Sequence, residues 1–292
     1  MKFGIYYAYW EKHWGADYRR YIEKAAKIGF DILEISCASL PSMSDTEISE
    51  LRNAKERNGI TLTAGYGPKA SQNIASSDIR IVDSALAFWE KVFKVLYRLD
   101  VHITGGGLYC YWPVDYTKPV DKEGDLERSM IGTRKMAEIA GEYDIDLCME
   151  VLNRHEGYLL NTAQEGVDFV NKIHRSNVKV MLDTYHMNME EDDMSDAIYT
   201  AGSKLGHFHI GENNRRLPGQ GTIIRWSNIA QALKHIGYEG AVVMEPFVQT
   251  GGQVGNDIKV WRDISRGATE QMLDDQAGES LNFIRETFKN AC

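Results

Sequence analysis

Long apolar runs, paired cysteines and basic clusters are all missing from this chain of 292 residues. No window approaches the roughly eighteen apolar residues that a membrane-spanning helix needs, so no membrane association is expected. The opening stretch MKFGIYYAYWEKHW has neither an apolar run of signal-peptide length nor a small-residue cleavage site. Four cysteines (Cys37, Cys110, Cys148, Cys292) are scattered without CxxC spacing. That argues against a thiolate zinc site or a disulfide frame, and for reduced thiols in a cytoplasmic protein. Lys and Arg number 33 against 42 Asp and Glu, a net charge of -9, and the densest basic runs are pairs such as Arg19-Arg20. Such a surface repels phosphate backbones, so nucleic acid is not an expected partner. No GxGxxG follows the first strand-like run, and Gly105-Gly106-Gly107 lacks a following Lys-Ser/Thr. Without either phosphate-binding fingerprint, no organic cofactor is expected. No linker or low-complexity stretch divides the chain, which reads as one domain over residues 1–292.

What is present is an alternation of short strands and amphipathic helices. Strand candidates are FGIYYAY near Phe3, DILEIS from Asp31, ITLTAG from Ile60, VHITGG from Val101, IDLCMEVL from Ile145, VKVMLDTY from Val178, LGHFHIG from Leu205 and GAVVMEPF from Gly240. Several are apolar on both faces, as a buried parallel sheet requires. Helical patterns cover Tyr18–Ile28, Thr46–Arg57, Ile79–Leu99, Leu126–Tyr143, Ala163–His174 and Ser227–His235, with a last one near Leu281–Phe288. Ser44-Asp45 and Asn161-Thr162 supply N-cap chemistry, and Gly29, Gly59 and Gly237 stand where a left-handed C-terminal residue is wanted. Eight strands with crossovers, spaced roughly 35 residues apart, predict a single α/β domain folded as a (β/α)8 TIM barrel. The competing doubly wound sheet lacks its fingerprint.

In such a barrel, chemistry sits at the C-terminal ends of the strands. GHFHIGENNRRLPGQG, Gly206 to Gly221, sets His207 and His209 on one face of a strand that breaks into a polar loop. Alone, that pair reads as a packed core histidine followed by a solvated loop. Glu150, Asp183 and Glu245 end the fifth, sixth and eighth strands, and His209 the seventh, at separations of 33, 26 and 36 residues. That is close to one strand–helix unit per step, so four neighbouring strands converge on one point. Three carboxylates in a low-dielectric barrel mouth repel one another unless a cation neutralises them. Three oxygen ligands and one imidazole suit Mn²⁺, Co²⁺ or Mg²⁺ better than a thiolate-loving metal.

At these residues the chain resembles a known family, the ketose 3-epimerases (D-tagatose and D-psicose 3-epimerases) among the xylose-isomerase-like barrels. The resemblance spans nearly the whole chain. It is carried by GIYYAYW (Gly4–Trp10), YWPVDY (Tyr111–Tyr116), EVLNR (Glu150–Arg154), MLDTYHMN (Met181–Asn188), the Gly206–Gly221 stretch, MEPF around Glu245, and DIKVWRDIS (Asp257–Ser265). It implies one divalent metal per subunit, Mn²⁺ first, on Glu150, Asp183, His209 and Glu245, with the two glutamates as the acid–base pair. The implied reaction is epimerisation of free ketohexoses at C3, with D-fructose and D-psicose as the leading pair. C3 lies beside the C2 carbonyl, so metal binding at O2 and O3 stabilises an enediolate, and inversion needs a carboxylate on each face.

The same resemblance makes Glu156, His186 and Arg215 contacts to the O1–O2 end of the sugar. It makes Tyr6 and Trp112 aromatic walls, with Trp14, Tyr66 and Gly107 as further lining. It also implies a homodimer or homotetramer. His207 is expected to pack lower in the barrel. This chain has Gly107 where the family often has Ala, Cys110 where it has Ser, and Ile210 where it has Thr; Tyr66 fills a variable position. Gly107, Cys110 and Tyr66 are expected near the distal end of the sugar, where they bear on which ketose is preferred. The rival on the same barrel is an aldose–ketose isomerase, which usually uses two metals and further His and Lys groups not seen here. A phosphodiesterase of the endonuclease IV type would want more histidines and a basic face. A non-catalytic sugar-binding barrel would not need both Glu150 and Glu245.

Overall fold

The computed structural model describes residues 1–291, so the fourth cysteine of the sequence, Cys292, lies outside the described residues. Eight parallel strands close on themselves: β1 (Lys2–Tyr6), β2 (Ile32–Ser36), β3 (Thr61–Gly65), β4 (Ile103–Gly106), β5 (Asp146–Glu150), β6 (Val178–Asp183), β7 (Leu205–Ile210) and β8 (Ala241–Met244). Closure is direct, with Phe3 opposite Val242 and Ile5 opposite Met244. Each predicted strand is found, and with them the (β/α)8 barrel. None of the helices described is long and apolar enough to cross a membrane.

The outer layer is α1 (Tyr18–Ile28), α2 (Asp45–Asn58), α3 (Ile79–Arg98), α4 (Lys122–Gly141), α5 (Ala163–Ile173), α6 (Thr184–Glu190), α7 (Met194–Ala201), α8 (Trp226–His235), α9 (Gly252–Asp257) and α10 (Glu270–Asn290). Ser44 and Glu47 form a reciprocal capping box at α2, and Thr162 caps α5. Gly29, Gly59 and Gly237 all take positive φ, as their positions suggest. The sequence pattern misses some boundaries for a physical reason. The first turns of α4 (Lys122, Glu123, Gly124, Asp125) and of α10 (Glu270, Gln271) are polar, so periodicity begins only later. Their caps start the helices earlier than the apolar pattern does: the Asp121 side chain accepts from the Gly124 N–H, and the Thr269 side chain from the Met272 N–H. The short α6, α7 and α9 are too brief for periodicity to announce.

Within the glycine run at the end of β4, Gly106 is a packing requirement. Gly106 has φ of +118°, and a Cβ there would stand 2.4 Å from the Tyr66 carbonyl oxygen. Gly106→Ala is therefore expected to destabilise by about 2–4 kcal/mol. Urea unfolding checks this.

Candidate functional site

Register explains why the four candidate ligands meet. Glu150 lies opposite Met181, two residues before Asp183; Asp183 lies opposite His209; and His209 lies opposite Val243, two residues before Glu245. Steps of two keep side chains on one face of a strand, here the barrel interior. Glu245 falls one residue past β8, and its N–H donates to the Ile210 carbonyl at 3.0 Å, so it is held as firmly as a strand residue. One ligand atom from each of Glu150, Asp183, His209 and Glu245 lies within 4.8 Å of those of the others. Asp183 and His209 are almost fully buried, and Tyr109 donates its hydroxyl to the Glu150 carbonyl at 2.8 Å, pinning the end of β5.

Burial lifts the Glu245 carboxyl above the ordinary range despite the opposing His209 and Arg215, and the Glu150 carboxylate adds to the rise. Two buried polar atoms facing this cluster, Glu150 Oε1 and His209 Nδ1, have no hydrogen-bond partner. Unpaired buried acceptors are costly. Orphaned acceptors among three carboxylates are what a divalent cation relieves, so the donor set fits a metal of the oxygen-preferring kind.

Around the cluster runs a cavity of about 410 Å³. Its lining includes the other residues expected from the sequence: Tyr6, Trp14, Tyr66, Gly107, Trp112, Glu156, His186 and Arg215. Arg215 reaches in from the loop after β7, holding a left-handed φ of +63°. Its N–H donates to the Glu212 carbonyl at 3.0 Å, and its own carbonyl accepts from Phe247 N–H at 2.8 Å. A non-glycine residue held this way at a functional site marks a conformation fixed by its surroundings. The guanidinium donates to Glu245 Oε2 at 2.8 Å, Asp183 Oδ2 at 3.2 Å and Glu156 Oε1 at 3.2 Å, and lies 3.6 Å from the centroid of the Tyr185 ring. Burial is the largest single influence on the Glu156 carboxyl and pushes it up, but Arg215, His186, the Asn153 amide and Lys259 together hold the group below its usual range.

His186 Nδ1 accepts from the Asn153 N–H at 3.2 Å, which leaves the proton on Nε2, 3.5 Å from Glu150 Oε1. The site thus presents a guanidinium and an imidazole N–H at one side of the cluster, where a carbonyl or hydroxyl oxygen can be gripped. Trp14 stands edge-on to Trp112 and to Phe247, each at 6.2 Å, and its indole N–H donates to Asp257 Oδ2 at 2.7 Å. Aromatic faces beside a polar floor suit the C–H face and hydroxyls of a sugar.

Cys110 departs from expectation. It is buried 4.0 Å from the Tyr158 hydroxyl and is not among the residues lining the cavity, because the turn after Gly107 carries it behind the wall. Sequence reasoning also missed Phe247, Asp257 and Glu34. Phe247 stands two residues after Glu245, so strand-like alternation could have found it. Glu34 is a lone carboxylate inside the apolar run DILEIS, and its position below the strand end hides it from a search for carboxylates at strand ends.

Residues 22–286 match the model of the xylose isomerase-like TIM barrel. A D-psicose 3-epimerase of Ruminiclostridium cellulolyticum is 59% identical over 285 residues, covering 98% of this chain and 97% of that protein. The chain belongs to the ketose 3-epimerase family. Solved structures of family members agree with the fold throughout. One, a D-psicose 3-epimerase with D-tagatose from Clostridium cellulolyticum H10, superposes with a TM-score of 0.97 at 59% identity and 99% coverage of both chains. Another, a D-psicose 3-epimerase in the presence of D-fructose, gives a TM-score of 0.97 at 51% identity, again with 99% coverage of both. As a ketose 3-epimerase family enzyme, the protein is an isomerase.

Proposed function

We infer that the protein interconverts free ketohexoses at C3, with D-fructose and D-psicose as the pair, on a divalent metal held by Glu150, Asp183, His209 and Glu245. The observation that carries this reading is the pair of glutamates, which reach one cluster from β5 and from the end of β8 with two strands between them. Glu150, Asp183, His209 and Glu245 would hold a divalent ion, Mn²⁺ first and Co²⁺ or Mg²⁺ as alternatives, which would supply the positive charge that makes a proton next to a carbonyl more acidic. One glutamate carboxylate takes that proton, and the other delivers a proton to the opposite face, which inverts C3 without either side chain moving. The Arg215 fork and the His186 Nε2–H hold the oxygens at the C1–C2 end, and Glu156 accepts from a hydroxyl there while fixing Arg215. Tyr6, Trp112 and Trp14 wall the sugar, with Tyr66 and Gly107 toward its distal end.

The same reading takes residues 1–292 as one barrel domain that assembles as a homodimer or homotetramer in the cytoplasm. Light scattering on the metal-loaded protein checks it, a monomer being the contrary result.

Metal-loaded protein given D-fructose is expected to form D-psicose, read by NMR or chromatography. Glucose or mannose as product would move the reading to an aldose–ketose isomerase, and no product from any ketohexose would overturn it. Arg215→Lys keeps the charge and loses the fork. It is expected to lower kcat/KM by about 100-fold, as for removal of one oriented donor. Steady-state kinetics at saturating metal checks this.

A further inference from the structure

Glu34, in the middle of β2, is only 1% exposed and lies under the metal cluster. Its Oε1 stands 2.7 Å from His209 Nε2, its Oε2 stands 2.6 Å from His207 Nε2, and Thr63 Oγ1 donates to Oε2 at 2.8 Å. Gly65 leaves room for it: a Cβ there would stand 3.2 Å from Oε1. Glu34, His207 and His209 also have the composition of a second metal site. The distances decide against that. Two ligand atoms about 2.1 Å from one ion stand roughly 3 Å apart even at a right angle. Separations of 2.6 and 2.7 Å are those of charge-assisted hydrogen bonds.

We propose that Glu34 is a positioning residue which, by accepting the Nε2–H of His209, fixes that ring's tautomer and direction so that bare Nδ1 faces Glu150, Asp183 and Glu245. A carboxylate only accepts, so an imidazole facing it must carry its proton on the near nitrogen. The far nitrogen is then left with a lone pair, as metal ligation requires. His209 Nδ1 is the orphaned atom, and it lies 3.6 Å from Glu245 Oε1. His207 takes the second oxygen and the Thr63 hydroxyl steadies it, so the carboxylate cannot rotate away from His209. The inference rests on the metal reading above and adds to it the group that prepares the histidine.

The test compares Mn²⁺ affinity of wild type, Glu34→Met and Glu34→Gln by calorimetric titration, with folding followed by circular dichroism. Met keeps the length and removes both acceptors, whereas Gln keeps one. Glu34→Met is expected to bind Mn²⁺ about 10–100-fold more weakly, and Glu34→Gln to recover part of the loss. Affinity in Glu34→Met within twofold of wild type would overturn the inference while leaving the four-residue site standing. Failure of wild type to bind Mn²⁺ would overturn both. A second measurement needs no variant: long-range ¹H–¹⁵N correlation on Mg²⁺-loaded wild type is expected to show His209 protonated at Nε2. Protonation at Nδ1 instead would overturn the inference, even where Glu34→Met does not fold.

Discussion

Glu245→Gln, assayed at saturating Mn²⁺, is expected to lower kcat for D-fructose epimerisation by about 1,000-fold or more, and Glu150→Gln by a similar factor. Loss of a positioned acid–base group alone costs about 100- to 10,000-fold. On the proposed reading each glutamate is also a metal ligand, so below saturating Mn²⁺ its loss lowers the rate further. The amide is nearly isosteric, and Arg215, which donates to Glu245 Oε2, can donate equally to an amide oxygen, so the fold is expected to survive. Mn²⁺ content of the purified variants separates the two contributions. A variant with metal bound and no turnover has lost its base, and one that recovers near-wild-type rate at high Mn²⁺ would show that the residue is a ligand only.

Metal removal is expected to have the second largest effect. Exhaustive chelation should abolish turnover, and Mn²⁺ should restore it. Binding to the native state at 1,000 times Kd stabilises by about 4.1 kcal/mol. At about 0.6 kcal/mol per °C for a chain of 292 residues, Tm should rise by roughly 7 °C on reloading. The metal-free protein should nonetheless remain folded. Arg215 already bridges Asp183 and Glu245, and its guanidinium offsets part of the carboxylate repulsion that the metal otherwise relieves. Calorimetric melts of both forms test this, and an unfolded apo-protein would contradict it.

The barrel was legible because its strands are buried on both faces and so read as short apolar runs, and because strand-end carboxylates interrupt those runs at regular spacing. The convergence of Glu150, Asp183, His209 and Glu245 was legible for the same reason, since the three carboxylates are polar residues where the pattern calls for apolar ones. Glu34 carries the same signal but sits two residues below the strand end, and only the folded barrel shows that it faces His207 and His209 across the interior. Cys110 was misjudged because loop geometry, unlike strand alternation, leaves no period in sequence. The early turns of α4 and α10 were missed because their polar first residues are held by caps and tertiary contacts, such as Lys24 with Glu270 and Asp274, that hydrophobic spacing does not encode.

The measurement that bears most directly on the central claim is proton exchange in D₂O. Metal-loaded protein with D-fructose is expected to give D-psicose carrying deuterium at C3 from the first turnover, read by NMR, because the proton delivered to the second face comes from a different carboxylate than the one that took the first. Each single glutamate variant should stop the inversion. Deuterium at C1 with an aldose appearing, or D-psicose that retains the original C3 hydrogen, would contradict the account.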